Sequence, residues 1–65
     1  MRIVLNGADC RVPDGSSVGD VVAITGAPDR GVAVAVDSQV VPRSRWTDTV
    51  RGGAVIEVLT AVQGG

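Results

Sequence analysis

The chain has 65 residues, 45% of them hydrophobic, a formal net charge of −1 and a single aromatic residue, Trp46. One domain of this size buries only about 60% of the surface its unfolded chain exposes, which leaves little room for an enclosed catalytic cleft. Six arginines, no lysine and seven carboxylates give no clustered positive charge for nucleic acid. Without histidine, and with Cys10 as the only cysteine, the chain lacks the commonest zinc ligands, the usual general base and any internal disulfide.

Met1 to Asn6 read as a first strand, with Ile3 and Leu5 alternating against Arg2, Val4 and Asn6. Asn6-Gly7 is a two-residue hairpin signal, because both positions tolerate positive φ, and it leads into a second strand over about Asp9 to Val12. Pro13-Asp14-Gly15 stops that strand. Ser17 can cap a helix, Asp20 three residues on can cap back, and Gly26 is placed to end it. Val18, Val21, Val22 and Ile24 recur at helical spacing and are expected on its buried face.

After a loop at Ala27 to Gly31, Val32 to Val36 is a continuous apolar run bounded by turn residues, as expected of a well-buried strand. Asp37-Ser38 turns the chain into a short strand, Gln39 to Val41, which Pro42 halts because it has no amide to donate to a sheet. Arg43 to Arg51 are expected to be irregular, with Trp46 folded onto the core. Gly52-Gly53 then lead into a last strand, Ala54 to Thr60, where Ile56 and Val58 alternate with Val55, Glu57 and Leu59.

This order implies an α+β fold: a mixed sheet of five strands, or four, with one helix packed across one face. First and last strands adjacent at the sheet centre would send the tail out from a rigid element. Residues 1–60 are read as the folded domain and 61–65 as a flexible C-terminal tail. No apolar stretch approaches ~18 residues and no charged-then-apolar leader is present, so a cytoplasmic location is expected.

The tail ends in Gly64-Gly65. Neither residue has a Cβ, so an α-carboxylate carried on Gly65 could be threaded into another protein's active site without steric conflict. Intrinsic catalysis is not expected, and the ending reads either as a reactive tail whose chemistry belongs to Gly65 or as a mobile terminus whose glycines are incidental. Val55 and Leu59 would lie on the open side of the sheet, where exposed apolar residues can mark a partner surface. Glu57 between them could pair with a partner's arginine or stand solvated. Cys10 is read as a small apolar filler.

The block Val41-Pro42-Arg43-Ser44-Arg45-Trp46, the approach Val34-Ala35-Val36-Asp37 and the terminal Val62-Gln63-Gly64-Gly65 together resemble the ThiS family, the ubiquitin-like sulfur carriers of thiamin biosynthesis. The first half is similar more loosely, through the Asn6 turn and the Ser17 to Ile24 helix. That resemblance implies a β-grasp fold and a protein co-substrate that binds no cofactor. It implies three partners: a ThiF-like adenylyltransferase that uses ATP, a persulfide sulfur donor, and a ThiG-like thiazole synthase. Gly65 would be adenylated and then converted to a thiocarboxylate, with Gly64, Gln63 and Val62 giving access, while Pro42, Arg43 and Trp46 hold the sheet edge and the following turn. Two alternatives share the diglycine ending: the small subunit of molybdopterin synthase, which tends to be longer and richer in phenylalanine, and a ubiquitin-like modifier conjugated through its C-terminal glycine.

Overall fold

A computed structural model describes residues 1–28 and 30–60. Its elements follow in the order β1 (Arg2–Leu5), β2 (Ala8–Arg11), α1 (Val18–Ile24), β3 (Val32–Val36), β4 (Gln39–Val41), a 3-10 turn (Arg43–Arg45) and β5 (Val55–Thr60). Asn6 and Gly7 adopt φ of 51° and 83°, the left-handed values a two-residue hairpin demands, and they bring Leu5 opposite Ala8. Asp37 and Ser38, with φ of 50° and 72°, make the equivalent turn between Val36 and Gln39.

The five strands form one sheet in the order β2-β1-β5-β3-β4. β5 lies at its centre, parallel to β1 through Val4↔Val55 and Leu5↔Ile56, and antiparallel to β3 from Val36↔Ile56 to Val32↔Thr60. The first and last strands are thus neighbours, as the order of elements predicts. Strand alternation sends Ile3, Val34, Ile56 and Val58 to one face, where α1 contributes Val18, Val21 and Val22. Val12, Val50 and Ala54 close an all-aliphatic core, against which Met1, Leu5, Cys10, Val36, Val41 and Trp46 are partly buried.

The helix is short and its start is fully provided for. Ser17 Oγ accepts from Asp20 N at 3.1 Å while Asp20 Oδ2 accepts from Ser17 N at 3.0 Å, the reciprocal pair that spacing predicts. Val18 N donates to Asp48 O at 3.0 Å and Gly19 N to Trp46 O at 2.9 Å. The segment from Arg43 to Arg51, expected to be irregular, therefore contains a 3-10 turn and supplies acceptors for the otherwise unpaired first turn of α1.

Two expectations about burial are corrected. Ile24 is 52% exposed and does not share the buried face of Val18, Val21 and Val22. At 100° per residue it stands about 160° round the axis from Val22, so its spacing fits the helix but not the stripe. The run Val32 to Val36 is not buried on both sides either: Val34 is buried, Ala33 is exposed and the others are intermediate. Only one face of the sheet carries a helix, so an uninterrupted apolar run here follows from small side chains on the open face. The second strand also starts one residue earlier than its pattern indicates and ends at Arg11.

Candidate functional site

β5 organises the surface of interest, because it is central in the sheet and immediately precedes residues 61–65. Its inward residues Ile56 and Val58 anchor it in the core. Its outward residues Val55 and Leu59 are 45% and 66% exposed, and Glu57 between them is exposed as well. Cross-strand pairing sets Ala33 beside Leu59 and Ala35 beside Glu57, and Val40 of β4, 75% exposed, stands next to Ala35. On the other side Val4 pairs with Val55. Val4, Val55, Ala35, Ala33, Leu59 and Val40 therefore form an apolar open face around one carboxylate, and Arg2, Asp9 and Arg11 continue it onto β1 and β2. Exposed apolar residues grouped on one sheet face can mark a partner surface, although single exposed aliphatics are ordinary.

Two turn residues fasten β5 from opposite sides. Asp37 N donates to Val55 O at 2.7 Å, and Asp37 Oδ1 accepts from Val55 N at 3.0 Å. Asp37 Oδ2 accepts from Arg51 Nη2, also at 3.0 Å. The Val55 amide, helped by the Arg51 guanidinium, holds the Asp37 carboxyl below its ordinary value of 3.8. On the β1 side, Asn6 N donates to Ile56 O at 2.9 Å and Asn6 Oδ1 accepts from Val58 N at 2.8 Å. Sequence reasoning identifies Asn6 and Asp37 only as turn formers. The signal for more is that both combine tolerance of positive φ with a side-chain acceptor, in hairpins flanking the strand that leads to the tail.

The block from Val41 to Trp46 is built as one unit. Trp46 Nε1 donates to Val41 O at 3.3 Å, and the Arg43 guanidinium lies 4.5 Å from the centre of the Trp46 ring. Pro42 precedes the 3-10 turn in an extended conformation, and Arg45 Nε pairs with Asp48 Oδ2 at 3.0 Å. These contacts tie the end of β4 to the segment that caps α1. Cys10 is intermediate in exposure and packs against the core beside Ile3. Among the described residues, no three histidine, cysteine or acidic side chains are grouped so as to hold a metal, and no buried side-chain polar atom lacks a partner. Among them, too, no helix is long and apolar enough to cross a membrane. Val62, Gln63, Gly64 and Gly65 lie outside the described residues, as does the expected tail as a whole.

A family model described as "ThiS family" matches residues 3–65. The chain belongs to the ThiS family. It is a sulfur carrier of thiamine biosynthesis, as the resemblance of the Val41 to Trp46 block and the diglycine ending implies. A solved structure titled as the thiamine biosynthesis protein ThiS from Geobacter metallireducens superposes with a TM-score of 0.80 at 26% identity, covering 100% of both chains. The mixed five-stranded sheet with one helix is thus the ThiS β-grasp over its whole length. No curated protein matches the chain significantly. Within this ThiS chain the open apolar face, the two fastenings of β5 and the Val41 to Trp46 unit are distinct features.

Proposed function

We propose that Gly65 is the residue that carries sulfur. A ThiF-like adenylyltransferase joins its carboxylate to AMP from ATP, releasing pyrophosphate, because a carboxylate is a poor electrophile and AMP is a good leaving group. The terminal sulfur of a persulfide donor displaces AMP, and a second thiol cleaves the resulting acyl disulfide, leaving a thiocarboxylate on Gly65 and a disulfide on the donor side. A ThiG-like thiazole synthase then consumes the sulfur and regenerates the carboxylate. The carrier works in the cytoplasm and contributes no catalytic side chain; residues 61–65 serve as the arm that enters each partner. Gly64 keeps the approach free of a side chain, and Gln63 and Val62 complete the access segment.

The observation that carries this reading is that the family match runs to residue 65 and so takes in Gly64-Gly65. The exposed set Val55, Glu57 and Leu59 supports it by offering a docking face on the strand that leads to the arm. The test is to incubate the carrier with its adenylyltransferase, ATP and a persulfide source, and to localise any oxygen-to-sulfur exchange by fragmentation mass spectrometry. Exchange confined to Gly65 is expected, and one extra residue after Gly65 should abolish it while leaving the fold intact. Exchange elsewhere, or isopeptide adducts through Gly65 as the dominant product in extracts, would overturn the reading.

A further inference from the structure

We infer that Asn6 is a positioning residue for sulfur loading, acting by holding the tail-proximal half of β5 through the amide of Val58. The inference rests on the reading that Gly65 is the loaded residue, and it concerns a side chain far away in sequence.

The geometry behind it is a shortage of backbone acceptors. In the parallel pair of β1 and β5, Val4 N reaches Ala54 O and Asn6 N reaches Ile56 O, each at 2.9 Å. Within β5 the amides of Ile56 and Val58 alternate to this side, but β1 ends at Leu5 and the chain turns away at Asn6-Gly7. Val58 N would have no main-chain carbonyl to meet. Asn6 Oδ1 takes that place at 2.8 Å, partly shielded from water, and extends the ladder one bond past the end of β1. On the opposite side β3 accompanies β5 as far as Val32↔Thr60. Without Asn6 Oδ1, the stretch of β5 paired only with β3 would begin at Val58 rather than after it.

The consequence for loading is a matter of reach and orientation. Once a partner has seated the open face, the carboxylate must be presented from the end of β5, and a looser end spreads it over more orientations. Effective concentration at the reacting centre falls when geometry is less defined, without any change in how tightly the face docks. Loss of the Asn6 acceptor should therefore lower kcat for adenylation and leave KM for the carrier unchanged. Substitutions on the docking face should do the reverse.

Asn6→Gly separates this role from turn formation, because glycine accepts φ of 51° more readily than asparagine but has no acceptor. Asn6→Asp restores an oxygen at the same reach and also tolerates the left-handed turn. Three readouts decide. In the unaltered carrier, a scalar coupling across the hydrogen bond between the Val58 amide nitrogen and the Asn6 side-chain carbon is expected, and its absence overturns the inference whatever the variants do. In Asn6→Gly, hydrogen exchange at Val58 should quicken about five- to tenfold, as loss of one hydrogen bond implies. Steady-state adenylation should show a several-fold drop in kcat at constant KM, recovered in Asn6→Asp. A change in KM alone, unchanged kcat, or no recovery by aspartate would sink the inference while leaving Gly65 as the loaded residue. If the unaltered carrier is not adenylated at all, the Gly65 reading falls first and the positioning role with it.

Discussion

At the scale of single residues, the decisive positions are those whose side chains replace missing backbone partners. Asp37 is the charged member of that set. Its carboxylate accepts from Val55 N and pairs with Arg51, and both interactions favour ionisation in the folded state. With the folded value depressed below 3.8, the unfolded chain binds the proton more readily, so this contribution is complete above the ordinary value and disappears as pH falls through the folded one. Urea unfolding from about pH 2 to about pH 7 should show stability falling below roughly pH 4. Asp37→Asn, which keeps an oxygen for Val55 and tolerance of φ of 50°, should flatten that fall. The carboxylate's side chain is 39% exposed, so the effect will be modest and will shrink with added salt. An unchanged pH profile in the variant would show that ionisation of Asp37, through Val55 N and Arg51 together, contributes no net stability. Ile56 is the opposite kind of residue, wholly buried and apolar. Ile56→Ala should cost about 2–5 kcal/mol. In a domain whose total stability is about 5 kcal/mol, that would leave much of the population unfolded by circular dichroism.

At the scale of elements, α1 shows how a seven-residue helix survives: its caps and its packing compensate for poor propensity. Ser17→Ala removes the Asp20 N acceptor and should destabilise the domain by about 1 kcal/mol in denaturant titration. Gly19 offers the converse test. A Cβ added there would meet Trp46 O at 3.5 Å, an ordinary contact, so Gly19→Ala should stabilise by up to about 1 kcal/mol through helix propensity alone. A loss of stability instead would mean that Trp46 and the helix are packed more rigidly than this distance implies. The same element marks the limit of what was legible beforehand. The capping box and both two-residue hairpins could be read because local chemistry decides them. The exposure of Ile24 could not, since spacing reports a face only when the residue stays within the covered stripe. The β3 run misleads for a related reason, because alanines on an open face look the same in sequence as alanines in a core. Cross-element bonds such as Asn6 to Val58 are not encoded by any local pattern; only the pairing of β1 with β5 creates the need for them.

For the whole molecule, the sheet has two unlike faces, and this asymmetry organises the carrier. One face is sealed by α1 and an aliphatic core; the other leaves Val55, Leu59 and Val40 uncovered around Glu57, with Val4 half-buried beside Val55. The exposed residues cost little to replace in the fold, because surface changes away from special features usually alter stability by about 0.5 kcal/mol or less. Partner docking should respond very differently. Leu59→Glu sets a second carboxylate beside Glu57 in the centre of the face, removing apolar contact and changing the charge that a partner meets. Its thermal midpoint should stay within a few degrees of the unaltered carrier. KM for the carrier in adenylation should rise at least tenfold, since tenfold corresponds to about 1.4 kcal/mol, within the range of a central interface residue. Glu57→Arg should also raise KM, with a strong dependence on ionic strength if an arginine of the partner lies opposite. Val40→Glu, on the edge strand β4, maps how far the footprint extends: a KM like that of Leu59→Glu means that the partner covers β5, β3 and β4 together. An unchanged KM for Leu59→Glu would move docking off this face altogether and leave the tail as the main determinant of recognition.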